Sequence, residues 1–195
     1  MSMMRFSPNF VSTLIIKPLQ YFFANYAPAA YKYSDDPKET KIDISSINNY
    51  NKIAIQEKPR ILVDRGDYLI TNSGLSDSMA EAKPKSISFG LDPRTNMIFV
   101  NGTSKILIEA RNEGTCELIA DMVSHFIVWT RPYICDSQGF KNFALPMGVS
   151  SCNPSKEDTE IFQVTIQAPY LIEELWQVSD DSIKINGFIQ SLKPL

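Results

Sequence analysis

The chain has a single histidine, the side chain that most often acts as a general base in enzymes. His125 is the only histidine, and it lies beside Phe126 in a helical pattern. A serine or cysteine nucleophile needs a base held against it, so any such pair would have to use His125. No activating motif accompanies this residue, and we therefore predict a structural histidine and no catalytic residues. A small enzyme that uses His125 with nearby acids is an alternative.

The cysteines do not have the spacing of a metal centre. Cys116, Cys135 and Cys152 are far apart in the sequence, and no Cys-x-x-Cys pair occurs. A structural zinc site takes four cysteine or histidine ligands, mostly in closely spaced pairs. We therefore predict no metal site and no cofactor. Free, buried thiols in a reducing compartment are the simpler expectation.

Paired acidic residues are also weak candidates for chemistry. Such pairs include Glu173-Glu174, Asp35-Asp36 and Asp180-Asp181. Neighbouring residues of a strand point to opposite faces, so Glu173 and Glu174 would not converge on one site. The other two pairs lie near predicted loops, where solvation is expected. Neither glycine-rich phosphate-binding motif, GxxxxGK[ST] or GxGxxG, is present in the sequence.

Two short motifs have both a functional and a structural interpretation. Arg65-Gly66-Asp67 matches an integrin-binding triplet, and Asn101-Gly102-Thr103 matches an N-glycosylation acceptor. Each contains a glycine, which supplies the backbone angles of a turn. Asn-Gly is also a preferred pair for a two-residue β-hairpin. We therefore predict a turn at the first motif and a hairpin at the second.

The composition is that of a globular, slightly acidic protein. Of 195 residues, 44% are hydrophobic and 21% are charged, and the net charge is −3. This length suits one domain with a sizeable core. An acidic balance argues against a general nucleic-acid coat, because such a protein needs basic side chains to displace counterions. Aromatic residues cluster without densely interleaved basic residues, so we assign them to the core and to subunit interfaces.

The first 30 residues predict a helix. Ser7-Pro8 combines a hydroxyl cap with a proline at the first helical position. The apolar run Phe10–Ile16 is shorter than the about 20 residues that span a bilayer, so we expect no membrane association. Pro18 should kink or restart the helix. Its apolar stripe either packs on the core or forms an arm that docks on a neighbouring subunit.

Short segments of alternating apolar and polar residues predict the strands of a sheet. Two of them form the hairpin around Asn101-Gly102, and two form a second pair around a turn at Pro169-Tyr170. A further turn is predicted at Leu91–Asn96. The candidate strands are Lys41–Ile44, Ile61–Val63, Ser86–Phe89, Met97–Val100, Ser104–Glu109, Glu160–Ala168, Leu171–Val178 and Ser182–Ile189.

The clearest helix of the sequence follows Asn112, which can cap its first turn. Its predicted apolar face consists of Cys116, Ile119, Ala120, Val123, Phe126 and Ile127. Arg131-Pro132 should end the helix, because a residue before proline is pushed out of helical geometry. Tyr133–Ser155 is then predicted to be an extended loop, and Thr71–Lys85 a polar loop.

Together these elements predict an α+β fold. A mixed, largely antiparallel sheet would pack against one main amphipathic helix, with an N-terminal helical arm and long loops. The single domain 1-195 would comprise the helix or arm at 1-30, an α+β core at 59-178 and the extended loop at 133-155.

The segment Lys85–Val178 resembles the tail-terminator and tail-completion proteins of tailed bacteriophages. The resemblance is carried by ILIEARNEGTCELIADMVSHFIVW, which ends a strand hairpin, and by the later pair FQVTIQAPYLIEELWQV. In that family a strand runs through a short turn into a helix that packs across a mixed sheet. Six copies usually form a ring at the head-proximal end of the tail.

This resemblance implies a structural virion protein with no catalytic, cofactor-binding or metal-binding residues. The protein would form a homo-oligomeric ring, expected to be a hexamer, that terminates or completes the tail at the head–tail interface. Its partners would be itself and adjacent phage neck, tail-tube or sheath proteins. DNA would pass only as cargo through the ring lumen, and the protein would reside in the virion after assembly in the host cytoplasm. A soluble adaptor or binding module is the other alternative.

Overall fold

A computed structural model describes residues 8–47, 58–72, 94–156 and 158–178 of the chain. These residues form two helices, α1 (Pro8–Asn25) and α2 (Glu113–Gln138), and a short 3-10 turn at Ala29–Tyr31. The strands are β1 (Asp43–Ser46), β2 (Arg60–Asp64), β3 (Tyr68–Asn72), β4 (Arg94–Ala110), β5 (Phe140–Phe143), β6 (Gly148–Val149), β7 (Asn153–Pro154) and β8 (Phe162–Val178). The predicted α+β class, with a mixed and largely antiparallel sheet on one main helix, is confirmed.

The sheet is built around two long strands that pair along their whole length. All 17 residues of β4 pair antiparallel with the 17 of β8, from Arg94 opposite Val178 to Ala110 opposite Phe162. On the far side of β4 lie β2 and β3, and β1 continues the sheet parallel to β2. On the far side of β8 lie β5, β6 and β7.

The predicted hairpin at Asn101-Gly102 is wrong, because these residues lie inside the continuous strand β4. Gly102 stands opposite both Tyr68 and Tyr170. A Cβ atom at this position would lie 2.5 Å from the Tyr170 ring, so the glycine leaves room for an aromatic side chain. A glycine in a strand has no side chain to pack, and an aromatic ring that lies over it fills that space. The Asn-Gly pair therefore marks a close approach and not a reversal of the chain.

The predicted turn at Pro169-Tyr170 is also wrong, since both residues lie within β8. Pro169 stands opposite Thr103, whose backbone N–H points away from β8 and donates to the Asp67 carbonyl at 3.2 Å. Two residues that stand opposite each other in an antiparallel pair either both point their N–H and C=O groups at each other or both point them away. Because Thr103 points its N–H away from β8, the backbone of Pro169 points away from β4. Its carbonyl accepts there from the Ala144 N–H at 2.7 Å. Proline has no N–H group, and at Pro169 this group would point towards the gap between β5 and β6. The pairing of β8 with β4 therefore loses no hydrogen bond.

Arg65-Gly66-Asp67 forms a β-bulge in place of the predicted turn. The strands β2 and β3 run in one line along β4, and these three residues stand opposite only Thr103 and Ser104. An extra residue on one strand is the definition of a bulge. Gly66 has φ +64°, and a Cβ atom there would meet the Thr103 carbonyl oxygen at 1.8 Å. The predicted need for glycine was right, whereas the predicted change of direction was not.

The helix α2 begins as predicted and ends later. The Asn112 side chain accepts a hydrogen bond from the Thr115 N–H at 3.2 Å. Pro132 lies inside the helix, which continues to Gln138 and ends at Gly139 with φ 74°. Arg131 donates to the Phe143 carbonyl at 3.1 Å, and Ile134 is buried beyond the proline. These contacts offset the lost backbone bond, so the predicted end at Arg131-Pro132 is wrong.

The predicted extended loop at Tyr133–Ser155 is also wrong, because the segment has regular secondary structure. It contains the last turn of α2 and the three short strands β5, β6 and β7. Each of these strands pairs with β8, and Phe140 and Phe143 of β5 are buried. The segment has no regular alternation of apolar and polar residues, so the sequence does not predict these short strands. They form because they pair with β8.

The N-terminal helix packs on its own chain. Val11, Ile15, Leu19 and Phe23 form its buried face, and the helix contacts β1, β2 and α2. The Phe22 and Phe126 rings join the two helices at a centroid distance of 4.9 Å. Pro18 lies within the helix without ending it. Of the two predicted uses of this stripe, packing on the core is therefore the one observed.

Two predicted strands, Lys41–Ile44 and Ile61–Val63, correspond to β1 and β2 with shifted ends. Several other predictions fall on residues outside the described ranges. These are the cap at Ser7, most of the loop Thr71–Lys85, the strand Ser86–Phe89, the first half of the turn Leu91–Asn96, the acidic pair Asp180-Asp181 and the strand Ser182–Ile189.

Candidate functional site

His125 lies on the exposed side of α2. It makes no hydrogen bond or ion pair with any residue that the structure describes. The neighbouring Phe126 turns inward and contacts Phe22. Thus the predicted structural role is only half right: the histidine is on a packed helix, but its ring faces away from the core.

The acidic residues of the predicted pairs take part in local contacts. Glu173 forms an ion pair with Lys141 of the neighbouring strand β5, with Nζ and Oε2 2.6 Å apart. Asp36 accepts a hydrogen bond from the Lys38 N–H at 2.9 Å, as in a turn. Asp35 accepts from the Tyr33 hydroxyl at 3.2 Å. Burial, followed by this carboxylate, raises the pKa of Tyr33.

Two of the three thiols lie between α2 and the β6–β7 side of the sheet. Cys116 is fully buried in the first turn of the helix, and its Sγ donates to the Phe162 carbonyl at 3.4 Å. Cys152 is partly buried and packs against the core cluster that contains Cys116. Burial, with a smaller contribution from Cys152, raises the pKa of Cys116 from 9.0 to about 12. Cys135 is half-buried further along α2.

Among the described residues, no group of three or more histidine, cysteine, aspartate or glutamate side chains is placed to hold a metal ion. Neither helix of the described part has the length and apolar character needed to cross a bilayer.

The edge of the sheet at β3 is the first candidate interaction surface. This strand pairs with β4, and no other strand of the described ranges pairs with it. Ile70 stands opposite Val100 in register, yet Ile70 is 49% exposed whereas Val100 is fully buried. Leu69, on the opposite face, is 64% exposed. The helical cover therefore ends between β4 and β3, and both faces of this edge meet solvent.

A second candidate for interaction is a set of exposed aromatic side chains on the two helices. We call this set the aromatic patch, and it consists of Tyr21, Tyr26, Trp129 and Tyr133. Trp129 is 79% exposed and Tyr133 is 68% exposed. The two helices contact each other through Phe22 and Phe126. Exposed tryptophan and tyrosine side chains are enriched at protein interfaces.

A third candidate surface is a concavity of ≈ 590 Å³ on the sheet face. Glu109 and Gln163 line it and belong to a polar row across four strands, because Asp43, Arg60, Glu109 and Gln163 stand side by side in register. Glu109 is only 4% exposed and accepts from the Gln163 amide at 2.7 Å. Arg60 lies 3.8 Å from Asp43, measured from Nε to Oδ2.

The second carboxylate oxygen of Glu109, Oε2, is buried without a hydrogen-bond partner. Leaving a buried acceptor unpaired costs free energy that a bound donor would recover. Leu62 and Leu107 provide an apolar floor beside it. This concavity is the part of the described surface that most resembles a ligand site.

The sequence indicated only one of the three surfaces. It assigned the aromatic clusters to core and interface use, and burial confirms the core part for Phe23, Phe140 and Phe143. It gave no signal for the β3 edge. For Glu109 a signal was available, because a single acid interrupts the apolar strand ILIEA.

Comparison of the chain with known protein families and with curated protein sequences found no match.

Proposed function

We propose that this chain is a structural subunit of the virion of a tailed bacteriophage. It assembles into a homo-oligomeric ring at the head–tail interface or tail end, where it terminates or completes the tail and joins it to the neck. The observation that carries the proposal is the β3 edge, where Leu69 and Ile70 are exposed on opposite faces and no described strand other than β4 pairs with β3.

An exposed edge strand is a template for pairing with another chain, and natural proteins usually protect such edges with charge or proline. The described β3 sequence, YLITN, carries neither. Covering this edge with a neighbouring subunit removes apolar side chains from water and satisfies its backbone groups. The edge is therefore explained by an assembly.

The aromatic patch supports a ring in particular. It lies on α1 and α2, and the exposed edge lies on β3, so the two surfaces belong to different elements. When two different surfaces of one subunit meet on its neighbours, the contact is head-to-tail and closes into a ring if the rotation allows. Virion neck, tail-tube or sheath proteins would then stack on the ring.

The resemblance adds a second line of support. A strand leads through the capped turn at Asn112 into a helix that packs across a mixed sheet. That is the arrangement expected of tail-terminator and tail-completion proteins.

Sedimentation and negative-stain imaging of the purified protein test the proposal. We expect rings for the wild type and monomers for the double variant Leu69→Lys, Ile70→Lys, because two ammonium groups block strand pairing. Leu118→Lys is the matched control, since Leu118 is an exposed leucine of α2 outside both surfaces. Trp129→Ala with Tyr133→Ala should also weaken the ring.

The proposal is wrong if the wild type stays monomeric at every concentration and purified phage particles lack the chain by mass spectrometry. His125→Ala should leave ring assembly unchanged. A loss of some measurable reaction in that variant would instead favour the small enzyme.

A binding module or soluble adaptor is the second candidate, and the concavity beside Glu109 favours it. Such a protein would be monomeric and would bind a partner through this face. Glu109→Gln would then abolish partner binding, whereas the Leu69→Lys, Ile70→Lys variant would retain it.

A further inference from the structure

Two sets of contacts hold the chain around Cys152 on the part of β8 that Cys116 contacts. Pro154 of β7 pairs with Phe162 of β8, and the Phe162 carbonyl lies 3.4 Å from the Cys116 sulfur. Two residues before Cys152, the Ser150 N–H donates to the Thr165 carbonyl at 2.9 Å, which fixes the chain on the other side. Between these anchors the Cys152 side chain packs against the buried cluster that contains Cys116.

We infer that Cys116 and Cys152 are a redox-modification site, at which a small-molecule disulfide such as oxidised glutathione converts the two thiols into an intramolecular disulfide. The inference does not rest on the proposed ring. Cys135 lies near the far end of α2 and takes no part.

The reaction is a pair of thiol–disulfide exchanges. Cys152 is the more accessible thiol, and after losing its proton to solvent it attacks one sulfur of oxidised glutathione. One glutathione leaves as a thiolate. Cys116 then loses its proton and attacks the Cys152 sulfur, and the second glutathione thiolate leaves. Two electrons pass from the protein to oxidised glutathione, which becomes two molecules of reduced glutathione.

The surroundings keep both groups protonated and therefore slow their reaction with a disulfide. Burial raises the pKa of Cys116 and, to a smaller extent, that of Cys152. Glu113 and Glu117 of α2 raise the Cys152 pKa further, and Glu109 of β4 does so for Cys116. Since the thiolate is the nucleophile, these groups slow the exchange at neutral pH.

The bond would tie the first turn of α2 to the segment between β6 and β7. Ser150 of this segment lines the concavity, as do Asn153 of β7 and Ser155 directly after it. Oxidation would therefore hold one wall of that concavity in place. The closed loop spans on the order of 35 residues, a length at which a disulfide stabilises a fold clearly.

The test uses Cys135→Ser, which keeps the pair and removes the third thiol. After treatment of the folded protein with oxidised glutathione, we expect a loss of about 2 Da and no thiol open to alkylation. Peptide mapping should find Cys116 joined to Cys152. The unfolding midpoint should rise by roughly 5–10 °C and return when dithiothreitol is added.

Two matched variants test which thiol reacts first with oxidised glutathione and whether the second thiol can reach it. In a Cys135→Ser background, Cys116→Ser should accumulate one glutathione on Cys152 and should not show the mass loss of about 2 Da. Cys152→Ser should react far more slowly, because its remaining thiol is buried. The inference is overturned if the Cys135→Ser protein stops at the Cys152–glutathione adduct. It is equally overturned if wild-type protein joins Cys135 to either partner under these conditions.

Discussion

The two outer edges of the sheet flank the same pair of long strands but have opposite surroundings. On the β8 side, Phe140 and Phe143 of β5 are buried beneath the helices, and the Phe140 ring contacts the rings of Phe10, Phe143 and Tyr170. On the β4 side, Leu69 and Ile70 of β3 are exposed. Both β3 and β5 pair antiparallel with a long strand, and β5 has a register shift between Phe140 and Asn142. Strand pairing alone therefore does not decide which edge belongs to the core, and helix packing does.

The difference indicates that the buried edge at β5 stabilises the fold, whereas the exposed edge at β3 is open to a partner. An aromatic residue under the helices contributes through the apolar surface that it removes from water. A residue of similar character on β3 contributes little to the isolated chain, and its surface remains open to a partner. Substitutions on the two edges should therefore act on different measurements.

The largest effect is expected from Phe143→Ala on the buried edge. Phe143 is 1% exposed, and its removal leaves a cavity beside Phe140. We expect a loss of about 3–5 kcal/mol in the free energy of unfolding, measured by chemical denaturation. A loss below about 1 kcal/mol would show that the buried edge does not hold the fold.

The next effect is a loss of stability at alkaline pH through Cys116. Because its pKa is raised from 9.0 to about 12, the folded protein keeps the proton that the unfolded chain has lost. The contribution is fully present below pH 9.0 and declines as the pH rises towards about 12. The slope should be at most about 1.4 kcal/mol for each pH unit. Cys116→Ala should remove this part of the pH dependence, and an unchanged slope would contradict the assignment.

Gly102 tests the boundary between the two edges, because it lies between Tyr170 of β8 and Tyr68 of β3. A Cβ atom would be 2.5 Å from the Tyr170 ring and 2.9 Å from the Tyr68 Cβ atom. We expect Gly102→Ala to cost about 1–3 kcal/mol by denaturation. Gly148→Ala is the matched control, since its nearest contact would be an ordinary 3.7 Å. Equal effects of the two substitutions would remove the packing explanation.

The smallest effect on stability is expected from Ile70→Ala on the exposed edge. The free energy of unfolding of the monomer should change by no more than about 0.5 kcal/mol, because half of this side chain is already in solvent. Denaturation at low protein concentration measures it without the contribution of assembly. A loss as large as that of Phe143→Ala would show that β3 is covered in the isolated chain.

Local signals predicted individual elements better than their connections. The cap at Asn112, the apolar face of α2 and the strand at Ile61–Val63 follow from short-range patterns, and all three are present. The turns at Asn101-Gly102 and Pro169-Tyr170 rest on equally good local chemistry, yet both are absent. Both pairs of residues instead lie inside long strands that are paired with other strands on both sides. Those partner strands are distant in the sequence, so short-range patterns do not reveal them.

The sequence by itself determined the α+β class, the capped main helix and the presence of a single histidine. Only the tertiary structure decided that Gly102 accommodates a ring, that Cys116 and Cys152 pack in one cluster, and that the helices stop covering the sheet before Ile70. The reason is physical. Propensity and periodicity act over a few residues, whereas burial, unpaired edges and the proximity of side chains depend on residues far apart in the chain.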